Sequence, residues 1–545
     1  MTFDGGRFTD TLRREPSAVN RQPSTVHRVN ISKKPPFPYR ACGYLRVFLP
    51  VHHTSFIIHH INRMKRIFTL CLFAAISFST LFANVGGHKI RVKLDNYPHT
   101  TLTLGFHYGD KQYVKDTASV DAEGYFTFQA DTLLPCGVYL LVLKPDNSFI
   151  QVLLPENDQD FTMTTDAKDA VNKMKVKGSD DNEVFYEYLR YLNKLRPEAD
   201  TLRAQISRTK GNLADSIRLS GQLADIDKAV KKFQLDLITK HPAFVSAKIV
   251  KASIEPEPPQ FPGSEKEANR LKYFWYKEHY FDNIDVADPC LLRSPVLHPR
   301  IDNYVTKFTP QHPDSVNLAV DFVIGKMKNS KENYKFYLIH FLNHYAKSTL
   351  VGFDACYVHI AQKYYCSGQA TWTKKEDIEK ICDNARRLEP ILIGKIAPNI
   401  TVMDRNNKPH SLWDVDADYT VLFFWAPDCG HCKKAAPFMV EFAKKFKDRG
   451  VKVFAVCTAI GDKGPECWKG VEEKEFSDDL FMNMFDPYIR SKYKTLYDVQ
   501  TTPQIFILDR KHEILSKRIG GEQLAEVMEM VMKFQEDKKK QQGGK

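Results

Sequence analysis

Cysteine and glycine are both scarce in this chain. There are 11 cysteines among 545 residues, a density too low for a scaffold held together mainly by disulfides. With 26 glycines the chain cannot form a collagen-like repeat, and a hydrophobic content of 43% excludes disorder as its overall state. The length indicates a folded protein of several domains.

Acidic residues are fewer than basic ones, and the net charge is +12. Such a surplus ordinarily indicates nucleic acid or a membrane surface as a partner. The excess is concentrated at the N-terminus, because residues 1–63 hold ten Lys and Arg against three acids, and Lys65 and Arg66 follow. From residue 67 onward the net charge is only +3. We therefore expect no nucleic-acid partner.

Residues 64–83 have the build of a secretory signal peptide. Met64 is followed by the basic residues Lys65 and Arg66, then by an apolar run that ends among small residues. Because a signal peptide begins a chain, we expect Met64 to be the true start and residues 1–63 to be a non-native or disordered extension. The alternative is an uncleaved signal anchor, the one case in which we expect membrane association. Both interpretations export the chain to the periplasm or cell envelope.

Residues 87–167 predict a small all-β sandwich. Short runs rich in β-branched and aromatic residues occur at 90–94, 125–128 and 137–143, and a turn signal lies at 121–124. No residues in this region have a catalytic spacing.

Residues 179–385 carry helical patterns instead. Ser179 can cap a helix that we expect to end before Pro197, and a second helix follows. The proline-rich stretch 254–263 cannot be helical and predicts a stiff connector. The apolar faces of the two helices consist of Phe185, Tyr188, Leu189, Leu192 and Leu195 and of Leu223, Ile226, Val230, Phe233 and Leu237. These stripes predict helix-on-helix packing in an all-α region.

Residues 390–536 return to strands, now alternating with helices. Apolar runs at 419–425, 451–456 and 504–509 are separated by helical segments, which predicts an α/β domain. The lysine-rich tail, 537–545, is expected to be flexible. The predicted fold is therefore multidomain, with an N-terminal all-β sandwich, a central all-α helical region and a C-terminal α/β domain.

The clearest chemical signal is a pair of cysteines, Cys429 and Cys432, that stand three residues apart where an apolar strand gives way to a helix. The first sulfur lies at the positive end of the helix dipole, which favours its thiolate. The second lies one helical turn on, where it can attack a mixed disulfide formed at Cys429. A protonated His431 between them would further stabilise the thiolate and make the disulfide more oxidising.

Other uses of a cysteine pair fit less well. A structural zinc site needs a second pair of ligands, and the remaining cysteines offer none at a spacing of two to four residues. His340, His344 and His359 also lack a paired metal spacing. A c-type haem would need His directly after Cys432, where Lys433 stands. We expect no metal and no other cofactor, and an inert structural disulfide is the alternative to redox chemistry.

Several features of the C-terminal block occur together in one known family. They are the stretch 394–398, Trp425 with the Cys429-Gly-His-Cys432 motif, Pro437 within the helix, and the stretch 501–503 before a strand. In these features residues 394–536 resemble the thioredoxin superfamily, and within it the exported TlpA/ResA-like thiol–disulfide oxidoreductases. The resemblance implies a thioredoxin-like fold in which Thr502 and Pro503 form a cis-proline turn beside the sulfurs. It also implies that Thr502, Pro503 and Trp425 bind an extended substrate chain.

Two positions depart from the family pattern. Phe423 stands where thioredoxin keeps a buried acid, and Ala435 stands where the cytochrome-maturation subgroup has a glutamate. The group that accepts the proton of Cys432 is therefore open between His431, Asp428 and a water molecule. The dipeptide between the cysteines resembles that of protein disulfide isomerases, which leaves the direction of electron flow open as well.

Two further cysteine pairs have a separation of ten residues. Cys457 and Cys467 could form a disulfide, or Cys457 could be a buried small residue at the end of its strand. Cys356 and Cys366 have the same separation inside the helical region, and we consider a disulfide there on the same grounds.

The function predicted from these patterns is a thiol–disulfide oxidoreductase that acts on exported proteins, as a reductase or isomerase rather than an oxidase. Its expected partners are disulfide-containing envelope proteins and a membrane thiol donor or acceptor. One alternative is an envelope binding or assembly protein with a vestigial redox pair, in which the upstream domains carry the function. Another is a peroxidase of the same fold, although Asp428 and Trp425 do not match a peroxidatic cysteine motif.

Overall fold

The computed structural model describes residues 13–14, 86–208 and 213–543. The predicted signal peptide at 64–83 lies outside the described residues, as does the predicted extension at 1–63 apart from two residues. Within the described ranges, no helix has both the length and the apolar composition that crossing a membrane requires.

Contacts within the chain divide it into two compact units. The first is Met1–Ser253 with Arg293–Pro295, and the second is Ile254–Leu292 with Val296–Lys545. In the part of the chain that the structure describes, the first unit contains the N-terminal strands and three helices. The second contains the remaining helices and the α/β domain.

The described strands of the first unit form two sheets. The strands are β1 (Arg13–Arg14), β2 (His88–Asp95), β3 (Thr101–Tyr108), β4 (Lys111–Ser119), β5 (Tyr125–Ala130), β6 (Gly137–Leu143), β7 (Ser148–Leu154), β8 (Asp160–Asp166) and β9 (Lys175–Lys177). One sheet has five strands in the order β1-β4-β3-β6-β7, and the other has four in the order β5-β2-β8-β9. Strand β2 alternates between buried and more exposed residues, so one of its faces meets the core. Strand β6 is buried along its whole length.

The described residues of the first unit also form three helices: α1 (Asp180–Arg208), α2 (Leu213–Lys240) and α3 (Val245–Ser253). The start of α1 is held by buried polar contacts. The side chain of Asn182 accepts from the Leu153 backbone N–H at 2.8 Å and donates to the Leu153 carbonyl at 2.7 Å. The carboxylate of Asp181 accepts from the first two backbone N–H groups of α3, those of Val245 and Ser246. The Asp181 bonds satisfy N–H groups at the start of α3 that would otherwise be unpaired, and the Asn182 bonds pair the backbone of strand β7.

The predicted end of α1 before Pro197 was wrong, because the helix continues through that proline to Arg208. A proline inside a helix removes one backbone hydrogen bond. Beyond it, Ala199 and Leu202 are buried, so the apolar face of α1 continues past the proline. The packing of this longer face outweighs the local cost, because helical stability in proteins comes mostly from packing.

The helical part of the second unit has seven α-helices within the described residues. They are α4 (Glu265–Glu278), α5 (Pro289–Leu292), α6 (Leu297–Thr306), α7 (Pro313–Lys326), α8 (Lys331–Ala346), α9 (Asp354–Ile360) and α10 (Lys375–Leu388), and a π-helix (Ala361–Cys366) follows α9 directly. A 3-10 turn, Glu389–Ile391, ends this part of the chain. The connector 254–263 contains no helix, as the sequence predicts.

The disulfide considered between Cys356 and Cys366 is not the one that the structure forms. Cys366 is bonded to Cys382 of α10, with 5.8 Å between their Cα atoms. Cys356 is a buried free thiol. Nearly continuous helix separates Cys356 from Cys366, and ten residues of helix span about 15 Å, which is too far for a disulfide.

The α/β domain is built on one seven-stranded sheet in the order β11-β10-β14-β13-β12-β15-β16. Its strands are β10 (Thr401–Met403), β11 (Pro409–Ser411), β12 (Tyr419–Trp425), β13 (Val451–Cys457), β14 (Phe481–Phe485), β15 (Gln504–Asp509) and β16 (Ile514–Lys517). Its helices are α11 (Gly430–Phe446), α12 (Gly464–Glu473), α13 (Tyr493–Leu496) and α14 (Leu524–Gly543), with 3-10 turns at Leu412–Asp414, Lys447–Arg449 and Gly521–Gln523. Strand β12 pairs in parallel with β13 and antiparallel with β15.

Strand β12 is buried from Thr420 to Trp425, because helices cover both faces of the sheet. On one face the core includes Phe423, Phe442 and Met528. The strands at the N-terminus, the central helices and this α/β domain confirm the predicted fold class.

The tail predicted to be flexible is helical as far as Gly543, because α14 continues through it. The segment 537–542 contains only Asp, Lys and Gln, and most of these residues are good helix formers. The first strong helix breaker is Gly543, so the charged composition of the tail does not end the helix.

Candidate functional site

Cys429 lies where strand β12 connects to helix α11. It is the N-cap residue of α11, with φ −78° and ψ 118°, and its sulfur accepts a hydrogen bond from the Cys432 backbone N–H at 3.3 Å. The Cys429 thiol donates to the carbonyl oxygen of Thr502 at 3.2 Å. The Cys429 side chain is half-buried, whereas Cys432 is almost completely buried. The sulfur that a second protein could reach is therefore that of Cys429.

The environments of the two thiols push their pKa values in opposite directions. Burial acts to raise the pKa of Cys429, but hydrogen bonds from the Thr502 side chain, from Cys432 and from the His431 backbone outweigh it, so this pKa lies below its ordinary value. For Cys432, burial and the hydrogen bond with Cys429 raise the pKa to about 12. One thiol is thus prepared to ionise and the other to stay protonated, which is the division that an attacking and a resolving cysteine need.

Thr502 and Pro503 lie beside the sulfurs because of the register of strand β15. Gln504, the first residue of β15, pairs with Phe424 near the end of β12. This pairing brings the preceding turn to the end of β12 where Cys429 lies. The peptide bond between Thr502 and Pro503 is cis, as the family resemblance implied. Both residues are half-buried, so part of this turn faces solvent.

The remaining predicted site residues differ in their positions. His431 is exposed, and its backbone N–H contributes to lowering the pKa of Cys429. Trp425 is only 1% exposed, and its ring packs edge-on against Phe476 with centroids 5.3 Å apart. Trp425 therefore supports the motif from within the domain, whereas the sequence-based expectation placed it on the substrate-binding surface.

Lys474 lies against the motif and was missed by the sequence analysis. It follows α12 as its C-cap residue, and it is 8% exposed. Its ammonium donates to the carbonyl oxygen of Pro427 at 3.3 Å and lies 5.2 Å from the centre of the Trp425 ring. Burial lowers the pKa of Lys474. No local pattern distinguishes Lys474 from the many surface lysines, so only the tertiary structure identifies it.

Helix α12 also approaches the motif through a glycine. A Cβ atom placed on Gly470 would lie 3.0 Å from Cη2 of Trp425 and 3.1 Å from Cβ of Pro427. The absence of a side chain at this position lets α12 pack directly against the segment that leads into Cys429.

A second disulfide fastens α12 to the sheet. Cys457, the last residue of β13, is bonded to Cys467 of α12, with 6.1 Å between their Cα atoms. This confirms one of the two arrangements that the sequence allowed for Cys457. Cys457 is also the register partner of Trp425 on the neighbouring strand, so the disulfide lies next to the motif in the sheet.

Three parts of the chain match known protein families. Residues 393–517 match the AhpC/TSA family. Residues 220–388 and 88–185 match two domains of unknown function, DUF5106 and DUF4369.

Curated relatives of the C-terminal part include proteins described as thiol-disulfide oxidoreductase ResA. The protein from Bacillus cereus is 30% identical over 147 residues, which are 26% of this chain and 77% of the relative. The protein from Bacillus subtilis is 40% identical over 138 residues, which are 24% of this chain and 70% of the relative.

Among solved structures, similarity extends to a domain of a possible thiol-disulfide isomerase from Cytophaga hutchinsonii. It is 32% identical, and the match covers 27% of this chain and 97% of that one, with a TM-score of 0.25. A thioredoxin-like protein from Bacteroides caccae is 18% identical, with coverages of 51% and 98% and a TM-score of 0.39.

Proposed function

Since the chain belongs to the ResA-like thiol–disulfide oxidoreductases through its C-terminal domain, we propose that Cys429 and Cys432 exchange disulfides with exported proteins. The observation that carries this proposal is the placement of a half-buried Cys429 at the start of α11, with a lowered pKa, beside a buried Cys432 with a raised one. The exchange needs only the two sulfurs and a partner, so it requires no cofactor.

In the proposed reaction the thiolate of Cys429 attacks one sulfur of a substrate disulfide. A mixed disulfide forms, and the other substrate sulfur leaves as a thiolate that takes up a proton from solvent. Cys432 then loses its proton and attacks the sulfur of Cys429, which forms the Cys429–Cys432 disulfide and releases the second substrate thiol. The substrate disulfide is reduced and the motif is oxidised by the same two electrons. A thiol donor at the membrane would return the motif to the dithiol.

The turn at Thr502 is the proposed binding site for the substrate backbone. The Thr502 carbonyl is already 3.2 Å from the sulfur of Cys429, so a chain lying along this turn would place a disulfide next to the reactive thiol. Backbone hydrogen bonding to an added strand requires no particular substrate sequence. Pro503 has no N–H group, so it cannot donate a backbone hydrogen bond to a neighbouring strand as an ordinary strand residue does.

Reduction or isomerisation is the proposed direction, in a periplasmic or envelope compartment. Export is supported by the sequence of residues 64–83. The direction is supported by the Gly-His dipeptide between the two cysteines, which resembles that of protein disulfide isomerases. The partners would be disulfide-containing envelope proteins. The reduction potential of the motif, measured against glutathione, decides the direction, because a potential above that of the envelope would make the protein an oxidant.

The experiment that tests the function is the reduction of insulin disulfides by the full chain. Cys429→Ala is expected to abolish it, because the attacking sulfur is gone. Cys356→Ala removes a buried free thiol elsewhere in the chain and serves as the control. Activity that persists in Cys429→Ala would contradict the proposal and favour a binding protein whose upstream domains carry the function. Peroxide consumption that persists without Cys432 would instead indicate a peroxidase.

A further inference from the structure

We propose that the buried ammonium of Lys474 is the electrostatic partner of the motif, stabilising the thiolate of Cys429 in the dithiol and that of Cys432 while the mixed disulfide is resolved. This inference rests on the proposed function and adds a residue to it. Phe423, on the strand before the motif, and Ala435, in α11, are both buried and uncharged, so neither supplies a charge to the sulfurs.

The position of Lys474 is determined by contacts with the segment that enters the motif. Its Nζ atom donates to the carbonyl oxygen of Pro427, which is two residues before Cys429, and lies over the ring of Trp425. Burial disfavours the charged form of this lysine, whereas the cation–π contact and the carbonyl acceptor favour it. Gly470 and the Cys457–Cys467 disulfide hold α12, and with it Lys474, in this place.

The charges around Lys474 come from two elements. Lys474 lines a groove with a volume of about 570 Å³. From the end of its own helix, Glu473 and Glu475 line this groove too, and Glu473 acts to raise the pKa of Lys474. From α11, Lys433 acts to lower this pKa, and the groove is completed by Glu441 and Lys444.

The two motif sulfurs also act to raise the pKa of Lys474, Cys432 more than Cys429. The interaction between Lys474 and the thiols is reciprocal, so the same charge favours their thiolates.

The role of Lys474 differs between the two steps of the reaction. Before attack, its charge stabilises the thiolate of Cys429. During resolution, Cys432 gives its proton to solvent, and its sulfur forms the bond to Cys429 as the bond from Cys429 to the substrate breaks. The electron pair leaves on the substrate sulfur, which is then protonated by solvent. Lys474 forms no bond and transfers no proton, and it acts as a positioning residue through its charge.

The test is the pH dependence of Cys429 alkylation by iodoacetamide in the full chain, followed by mass spectrometry of the Cys429 peptide. Lys474→Met keeps the aliphatic stem and removes the charge. We expect the midpoint of alkylation to rise by at least half a pH unit, so that alkylation below the midpoint slows about threefold. The equilibrium constant with glutathione should also shift about threefold toward the disulfide, because the dithiol loses stability. This shift lowers the reduction potential of the motif by about 15 mV.

The matched control is Lys469→Met, which removes an exposed lysine of the same helix that pairs with Glu473. It should leave both quantities unchanged, whereas Lys474→Arg, which keeps the charge, should restore most of the difference. If Lys474→Met fails to fold by circular dichroism, Lys474→Gln takes its place, since it keeps a donor for Pro427 without the charge. An unchanged midpoint in a folded uncharged variant overturns the proposal, as does an equal shift in Lys469→Met. Neither outcome depends on protein substrates, so loss of the proposed function would be seen separately in the insulin assay.

Discussion

Lys517 of strand β16 and Asp354 of helix α9 form an ion pair whose side chains are 2% and 5% exposed. The Lys517 ammonium also donates to the carbonyl oxygen of Ile391 at 2.6 Å. The pair joins the edge of the seven-stranded sheet to the helices that precede it in the same compact unit. Burial acts to lower the pKa of Lys517, while the charge of Asp354 opposes this shift.

Removing one member of this pair is expected to destabilise the second unit strongly. Lys517→Met leaves an uncompensated buried carboxylate, and the loss of one partner of a buried ion pair costs about 3–5 kcal/mol. The double variant Lys517→Met with Asp354→Leu should recover most of that loss, because no buried charge is left unpaired. Urea unfolding followed by circular dichroism measures both. Equal stability of the single variant and the parent would show that the pair contributes little.

Replacement of the resolving cysteine should trap the reaction halfway. In Cys432→Ser the thiolate of Cys429 can still attack a substrate disulfide, but no second sulfur is available to release the product. We expect a mixed disulfide that accumulates on non-reducing gels and disappears on addition of dithiothreitol. Cys429→Ser should form none, and this pair of variants distinguishes the two roles. Trapping through Cys432 in the absence of Cys429 would reverse the assignment.

Acid is expected to weaken the helical region through Asp321. Burial acts to raise the pKa of this carboxylate, but hydrogen bonds from His359, Lys363 and Tyr364 outweigh it and hold the pKa at about 2, below the ordinary 3.8. Because the folded pKa is the lower one, the stabilisation is complete above about pH 4 and is lost as the pH falls toward 2.

Asp321→Asn should remove this dependence and lower stability at neutral pH. Asp314→Asn changes an exposed aspartate of the same helix and is the control. Thermal unfolding at pH 2, 3, 4 and 7 gives the comparison. A parent and an Asp321→Asn variant with parallel pH profiles between 2 and 4 would contradict the assignment.

Gly470 is expected to tolerate no side chain. Gly470→Ala places a Cβ atom 3.0 Å from the Trp425 ring, and overpacking of this kind costs about 1–3 kcal/mol. The shift of Trp425 or Pro427 needed to relieve the contact should also slow alkylation of Cys429.

The control for Gly470 is Gly221→Ala in helix α2, where a Cβ atom meets nothing within 4 Å. There the change should stabilise the helix by about 0.5–1 kcal/mol, because alanine has the higher helix propensity. Midpoints of thermal unfolding measure both changes. Stabilisation by Gly470→Ala would refute the close packing of α12 on the motif.

Much of the fold could be read from local patterns. The alternation in 90–94, the apolar runs at 419–425 and 504–509, and the placement of Cys429 after a buried strand all depend on residues close together in the chain. Local propensity gave the wrong helix end at two places, because packing or composition kept the helix going beyond the residue where it was expected to stop. Helix α1 runs through Pro197, and α14 continues into the charged tail.

The sequence alone determined the reactive pair. The two cysteines stand three residues apart where a strand is followed by a helix, so the covalent geometry of the chain places both at the start of that helix. The tertiary structure decided which distant groups surround that pair. The partner of Cys366 is 16 residues away on another helix, and Thr502 reaches Cys429 through the register of β15. Lys474 is brought to the motif by the packing of α12 on Trp425, and no local pattern encodes it, because burial and electric field depend on residues far apart in the chain.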